Sequence, residues 1–154
     1  IRGFPIGRLC DLAAFGLILA QMIGRVGCIL NGCCYGTPTD LPWGVRWTHP
    51  DSYGPHDVYV HPTQAYEILW DLVVLALIWA LWRRLRRPGA IYLVYIAAYS
   101  IGRFFITFLR ENEEAVLGLK QAQVVSLVVL AAAVALLLAI YRRPSLGDGG
   151  EALG

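Results

Sequence analysis

Apolar residues fill this chain in four long blocks, and the few polar residues inside those blocks fall on single helical faces. The blocks cover residues 10–30, 65–82, 90–109 and 123–141. Each approaches the ~20 mostly apolar residues that a helix needs to cross a bilayer. The pattern predicts an all-α polytopic membrane protein, a bundle of about four transmembrane helices spread over residues 1–144. Asn31, Gly32 and Gly36 break the first block, and TPTDLPWG (Thr37–Gly44) has the proline, glycine and aspartate of a turn-rich loop. A connecting loop therefore spans 31–64, with Trp43 and Trp47 suited to a membrane interface. Its polar part, with Asp51, His56 and Asp57, is left open as a flap. At the second helix Pro62 suits the first turn and Thr63 the cap. Pro88 and Gly89 stop it. The glycine-rich stretch 145–154 reads as a disordered cytoplasmic tail.

Composition and charge sharpen this picture. The 154 residues are 57% hydrophobic and 16% charged, with a mean hydropathy of +0.55, which excludes an ordinary soluble domain. The net charge of +2 matters less than its placement. Arg2 and Arg8 precede the first helix, Arg83, Arg84, Arg86 and Arg87 follow the second, and Arg142 and Arg143 follow the fourth. One orientation puts all of them on the cytoplasmic side, so loop 31–64 and the segment 110–120 face outward. These arginines are topology signals, and no basic patch suggests nucleic acid. The chain opens at Ile1 close to a membrane segment, without a cleavable leader pattern, and is expected to be the later part of a longer protein.

Charge inside the blocks is another matter. A charged side chain within the hydrocarbon costs about 2.5–3.5 kcal/mol, so such residues usually face a bundle interior, a counter-ion or a ligand. In the first helix Gln21, Arg25 and Cys28 share a face, in the second Gln64, Glu67 and Asp71, and in the third Tyr99, Arg103, Thr107 and Arg110. Arg25 and Arg103 lie at similar depth. Two guanidiniums brought together there repel unless an anion joins them, and their planar forks suit phosphate. The pattern thus predicts an outward-facing polar cavity fit for a phospholipid head group. Glu67 can serve as a structural partner of an arginine or in proton transfer, and both remain open. Gln121, Gln123 and Ser126 on the fourth helix are helix–helix glue or ligand contacts.

The cysteines are Cys10, Cys28, Cys33 and Cys34. Their spacing does not match the paired CxxC of a zinc site, and adjacent Cys33 and Cys34 bridge poorly to each other. Small, polarisable packing is the role expected of them, with no metal.

Three stretches resemble a known family. GRVGCILNGCCYG (Gly24–Gly36) resembles the signature loop of bacterial prolipoprotein diacylglyceryl transferases. HPTQAYE (His61–Glu67) resembles their HPSQLYE motif, and YSIGRFFITFLRENEE, from Tyr99, resembles their Y-x-x-x-R…E-x-x-R-x-P-D segment. The resemblance covers nearly all of this chain but only the later half of such an enzyme, without the family's amino-terminal helices, their tyrosine and their His-Gly-Gly stretch. It implies transfer of the diacylglyceryl group of phosphatidylglycerol to the lipobox cysteine thiol of a prolipoprotein, releasing glycerol-1-phosphate, with no metal or soluble cofactor. It implies an enzyme of the bacterial inner membrane whose active site faces outward.

Carried over by position, Arg25 and Arg103 match the arginines that hold and activate the phosphate, Asn31 and Gly36 the rest of the signature loop, and Tyr99 an important tyrosine. His61, Gln64 and Glu67 match the second motif; His61 is structural if the histidine of the family's His-Gly-Gly stretch takes the thiol proton, and otherwise the best catalytic base in view. From its place on the third stripe, Arg110 is expected to guard the outer entrance. Three departures stand out: Cys28 replaces the usual asparagine, Cys33 a glutamate, and Thr107 a glutamate. Two other readings remain: an inactive phospholipid-binding or scaffold relative, and a thiol redox or metal protein built on Cys28, Cys33 and Cys34.

Overall fold

The computed structural model describes residues 6–110, 114–116 and 119–142. Four helices make up the fold: α1 (Ile6–Asn31), α2 (Thr63–Leu81), α3 (Ala90–Thr107) and α4 (Gln121–Arg142). All four are long and apolar enough to cross a membrane, and the protein is a multi-pass membrane protein. Helix α3 packs against each of the other three, and α4 joins the bundle mainly through α3. A short antiparallel hairpin, β1 (Glu114–Val116) and β2 (Leu119–Lys120), precedes α4. The hydropathy pattern gives no sign of it, because strands this short satisfy backbone hydrogen bonds without an apolar face. The expected disordered tail, 145–154, lies outside the described residues, as do Arg2 and Arg143.

The core is small and lies mid-bundle, where Ala14 and Ile18 of α1 meet Val74 and Ile78 of α2 and Ile91 and Tyr95 of α3. Most other large apolar side chains, among them Leu12, Leu69, Trp79, Phe105 and Val128, point outward. A face of this kind is stable only against lipid or another apolar partner. Helices α2 and α3 lock where Gly102 lies under the indole of Trp70: a Cβ at Gly102 would collide with that ring. Trp70 Nε1 donates to the Ala98 carbonyl at 2.9 Å.

Chain direction gives the bundle two distinct ends. At the turn end, the α2–α3 connection carries Arg83, Arg84, Arg86 and Arg87, and Arg87 Nη1 donates to the Ile140 carbonyl at 2.9 Å near the close of α4. Asp11, buried in α1, ties this end together. Its Oδ2 accepts from Gly89 N at 2.8 Å and its Oδ1 from Tyr92 N at 3.0 Å. These are amides that the first turn of α3 would otherwise leave unpaired. At the opposite, loop end, α1 stops at a left-handed Gly32 (φ 73°). Gly32 N–H bonds back to the Ile29 carbonyl at 3.3 Å and Cys33 N–H to the Cys28 carbonyl at 3.1 Å, the bond pair that closes a helix around a glycine.

Loop 31–64 folds back on this end. Trp47 Nε1 donates to the Ile29 carbonyl at 2.7 Å, Tyr53 N to the Asn31 carbonyl at 3.2 Å, and Val60 bridges both Pro38 and Val45. The loop left open as a flap is thus fastened to α1. The cap of α2 also differs from expectation: Pro62 occupies the cap position and Thr63 is the first helical residue. Thr63 Oγ1 donates instead to the Cys34 carbonyl at 2.8 Å, a bond across the loop that competes successfully with local capping.

Candidate functional site

The three polar stripes meet near the loop end. Glu67, buried on α2, forms ion pairs with Arg25 of α1 through Oε2 and with Arg103 of α3 through Oε1. Arg103 Nη1 donates a hydrogen bond to Oε1, whereas the Arg25 contact is an ion pair without an aligned hydrogen bond. Arg110 Nη1 lies 3.8 Å from Oε1. Three guanidiniums thus surround one carboxylate, and the Nε of Arg110 is buried with no acceptor among the described residues. Arg110, expected at the outer entrance, is instead a member of this cluster, with a side chain only 13% exposed. It also lies beyond α3, because the helix ends at Thr107 rather than Leu109 and Arg110 N bonds to the Thr107 carbonyl at 3.2 Å.

The end of α3 is held by Lys120, which carries no evident signal in the sequence, and by Gln123, expected as helix–helix glue or a ligand contact. Lys120 Nζ donates to the carbonyls of Thr107 at 3.0 Å, Phe108 at 3.4 Å and Arg110, pairing groups that a helix terminus leaves exposed. Gln123 Oε1 accepts from Lys120 N at 2.9 Å and its Nε2 reaches the Phe104 carbonyl at 3.5 Å, so Gln123 joins α4 to α3. Ser126 bonds back within its own helix, as Thr107 does to the Arg103 carbonyl at 2.6 Å. Asp11 acts through backbone amides 78 and 81 positions on and Lys120 through carbonyls 10 to 13 positions back on another element, neither of which periodicity registers.

Two cavities adjoin the cluster. One of 260 Å³ is lined by Gln21, Arg25, Cys28, Glu67, Asp71 and Tyr99. The other, of 520 Å³, is a largely apolar groove of α3 and α4, lined along one side by Tyr92, Tyr95, Tyr99 and Arg103 and along the other by Val125 and Val129. Gln21 Oε1 accepts from the Tyr95 hydroxyl at 2.7 Å, fixing α1 to this tyrosine row.

The remaining motif residues build the loop. Gln64 is fully buried and donates from Nε2 to the Cys33 carbonyl at 2.6 Å. Gly36 N bonds to the His61 carbonyl at 2.9 Å, and a Cβ at Gly36 would strike the Leu109 carbonyl, His61 and Thr63. His61 Nδ1 lies 3.3 Å from the Tyr66 hydroxyl, which accepts from Trp43 Nε1 at 2.8 Å. These contacts join His61 to the loop rather than to the arginine cluster. Asn31 is the exposed last residue of α1.

Three of the four cysteines, expected to be small packing residues, converge. The sulfurs of Cys28, Cys33 and Cys34 all lie within 4.8 Å of one another. Cys34 is held at φ 64°, a left-handed conformation costly for any residue but glycine. Burial first, then hydrogen bonding to Cys28, pushes the Cys33 thiol up. Burial also raises Cys34, but the charge and hydrogen bond of Arg110, with further help from Cys33 and Arg25, outweigh it and leave that thiol below its ordinary value.

A multi-pass bundle with three arginines gathered on one buried carboxylate at its loop end defines the class, a helical membrane protein with a charged cluster inside its bundle. Residues 1–139 match the family model described as prolipoprotein diacylglyceryl transferase, and the chain belongs to that family. Similar proteins named phosphatidylglycerol–prolipoprotein diacylglyceryl transferase include one from Dehalococcoides mccartyi, 46% identical over 90% of this chain and 53% of that protein. One from Gloeobacter violaceus is 45% identical over 82% and 48%, and one from Nostoc sp. 38% identical over 98% and 59%. The chain spans about half the length of the curated relatives it matches.

Proposed function

We propose that this chain carries the phosphate-binding part of an enzyme that moves the diacylglyceryl group of phosphatidylglycerol to the lipobox cysteine thiol of a prolipoprotein. The observation that carries this reading is the surplus of cationic charge: three guanidiniums share one carboxylate at the head of an apolar groove. A phospholipid has the matching shape, an anionic head for Arg25, Arg103 and Arg110 and an acyl chain for the groove beside Tyr92, Tyr95 and Tyr99. The reaction breaks a carbon–oxygen bond to phosphate, forms a carbon–sulfur bond and frees glycerol-1-phosphate. Guanidiniums held in advance stabilise the charge that grows on that leaving group. Glu67 orients Arg25 and Arg103, and Tyr99 lines the reacting cavity.

The thiol proton must pass to a base, since thiolate is the nucleophile. His61, engaged with Tyr66, is assigned a positioning role together with Asn31, Gly36 and Gln64. The names of the relatives support phosphatidylglycerol and a prolipoprotein as the two substrates. The reading places the protein in the bacterial cytoplasmic membrane, and the positive-inside rule supports an orientation with the arginine-rich turn end inside and the cluster toward the outer face.

The test uses the full-length protein in phosphatidylglycerol vesicles with a lipobox peptide, reading by mass spectrometry whether the peptide cysteine gains a diacylglyceryl group. A gain that is lost in Arg25→Ala and in Arg103→Ala is the expected result. No gain by folded protein that still binds phosphatidylglycerol would overturn transfer in favour of a lipid-binding relative.

A further inference from the structure

Three thiols in one place are more than packing requires, and the fold works to assemble them. The glycine turn that ends α1 brings Cys33 back over Cys28 through the Cys33 N–H to Cys28 carbonyl bond. The first turn of α2 then holds the next two carbonyls: Gln64 binds that of Cys33 and Thr63 that of Cys34. Between them Cys34 adopts the left-handed conformation, a strain that persists only where the surroundings over-determine it. Two motifs, joined by bonds that span 29 and 31 positions, thus cooperate to gather three sulfurs in one place.

We propose that Cys28, Cys33 and Cys34 form a three-thiolate site for one thiophilic d10 cation, of the Zn2+ or Cu+ class. Thiolate-rich sites select such ions. With metal–sulfur bonds of about 2.3 Å, sulfurs around a shared ion lie roughly 4 Å apart. The present separations, all within 4.8 Å, close to that value by side-chain rotation of less than about 1 Å. Binding releases three thiol protons and leaves a complex of charge −1 with a divalent ion or −2 with a monovalent one. The neighbouring arginine cluster holds three guanidiniums against Glu67, a surplus of +2, or +1 with Asp71 ionised, so it complements an anionic metal–thiolate centre. Zn2+ would complete four-coordination with an exogenous ligand, whereas Cu+ accepts three sulfurs alone. The proposal does not rest on the transferase reading, although both draw on the charge of the same arginines.

The experiment is equilibrium dialysis of the full-length, phosphine-reduced protein in detergent against Zn2+ and, in a separate anaerobic arm, Cu+. Bound metal is counted by mass spectrometry. One ion per chain is expected in at least one arm, with loss of binding in Cys28→Ser, Cys33→Ser and Cys34→Ser and full retention in Cys10→Ser. A second measurement needs no variant: bound metal should protect Cys28, Cys33 and Cys34, but not Cys10, from maleimide. Folded, reduced protein that binds neither ion, or that binds one without protecting the three cysteines, overturns the proposal.

Discussion

Replacing Glu67 by glutamine removes the one carboxylate that Arg25, Arg103 and Arg110 share. At an effective dielectric near 20, unit charges 4 Å apart interact by roughly 4 kcal/mol. Glu67 meets two guanidiniums in contact and the third at 3.8 Å. Its side chain is 7% exposed and those of the arginines 13–24%, so solvent screens the loss only partly. Breaking such a pair from one side costs about 3–5 kcal/mol, because the partners stay buried without compensation. For a chain of this size that corresponds to a fall in melting temperature of about 6–20 °C. Tryptophan fluorescence during heating in detergent micelles would measure it. The decisive comparison is the double variant. Glu67→Gln raises the charge of the cluster from +2 to +3, whereas Glu67→Gln with Arg103→Gln returns it to +2. The double variant should therefore be more stable than Glu67→Gln alone, and inorganic phosphate should stabilise Glu67→Gln more than the parent. A Glu67→Gln protein within about 1 kcal/mol of the parent, below the range for a broken buried pair, would refute this reasoning. So would a double variant no more stable than the single.

Two further predictions concern packing and the loop. Gly102→Ala drives a methyl group into Trp70 and should cost about 1–3 kcal/mol in thermal unfolding; Gly16→Ala, with nothing within 4 Å of the new Cβ, should be neutral or gain about 0.5–1 kcal/mol. Because the Cys34 thiol is lowered and the Cys33 thiol raised, thiolate should appear at Cys34 first as pH rises. Iodoacetamide labelling mapped by mass spectrometry should then show a midpoint below 9.0 for Cys34 and above it for Cys33, with Arg110→Gln moving the Cys34 midpoint upward.

The sequence revealed the four helices and the arginine pair because both rest on local signals. Hydropathy marks a membrane helix within about twenty residues, and a buried charge such as Arg25 stands out against its apolar neighbours. The shared face of Gln64, Glu67 and Asp71 likewise pointed inward before any partner was known. What stayed hidden depends on where the chain turns. Asp11 sits close enough to the first helix end to read as an ordinary boundary charge, yet it caps a helix nearly eighty positions later. Arg110 belongs to a helical stripe by spacing, but α3 stops at Thr107 and a turn carries it inward. The thiol cluster needs a left-handed Cys34, a conformation that composition does not announce at a residue other than glycine.

The clamp at Asp11 gives the bundle a common origin of depth. From there α1 and α3 climb in the same direction, one from Asp11 and the other from Gly89. Fourteen residues separate Asp11 from Arg25, and fourteen separate Gly89 from Arg103. At 1.5 Å per residue, both guanidiniums are lifted about 21 Å above the clamp, to a level where one carboxylate on α2 can face them both. Adding a single residue to either stretch would raise its arginine by about 1.5 Å and swing it about 100° around the helix axis. Two rulers of equal length, read from the same zero, keep the charges level across the membrane interior.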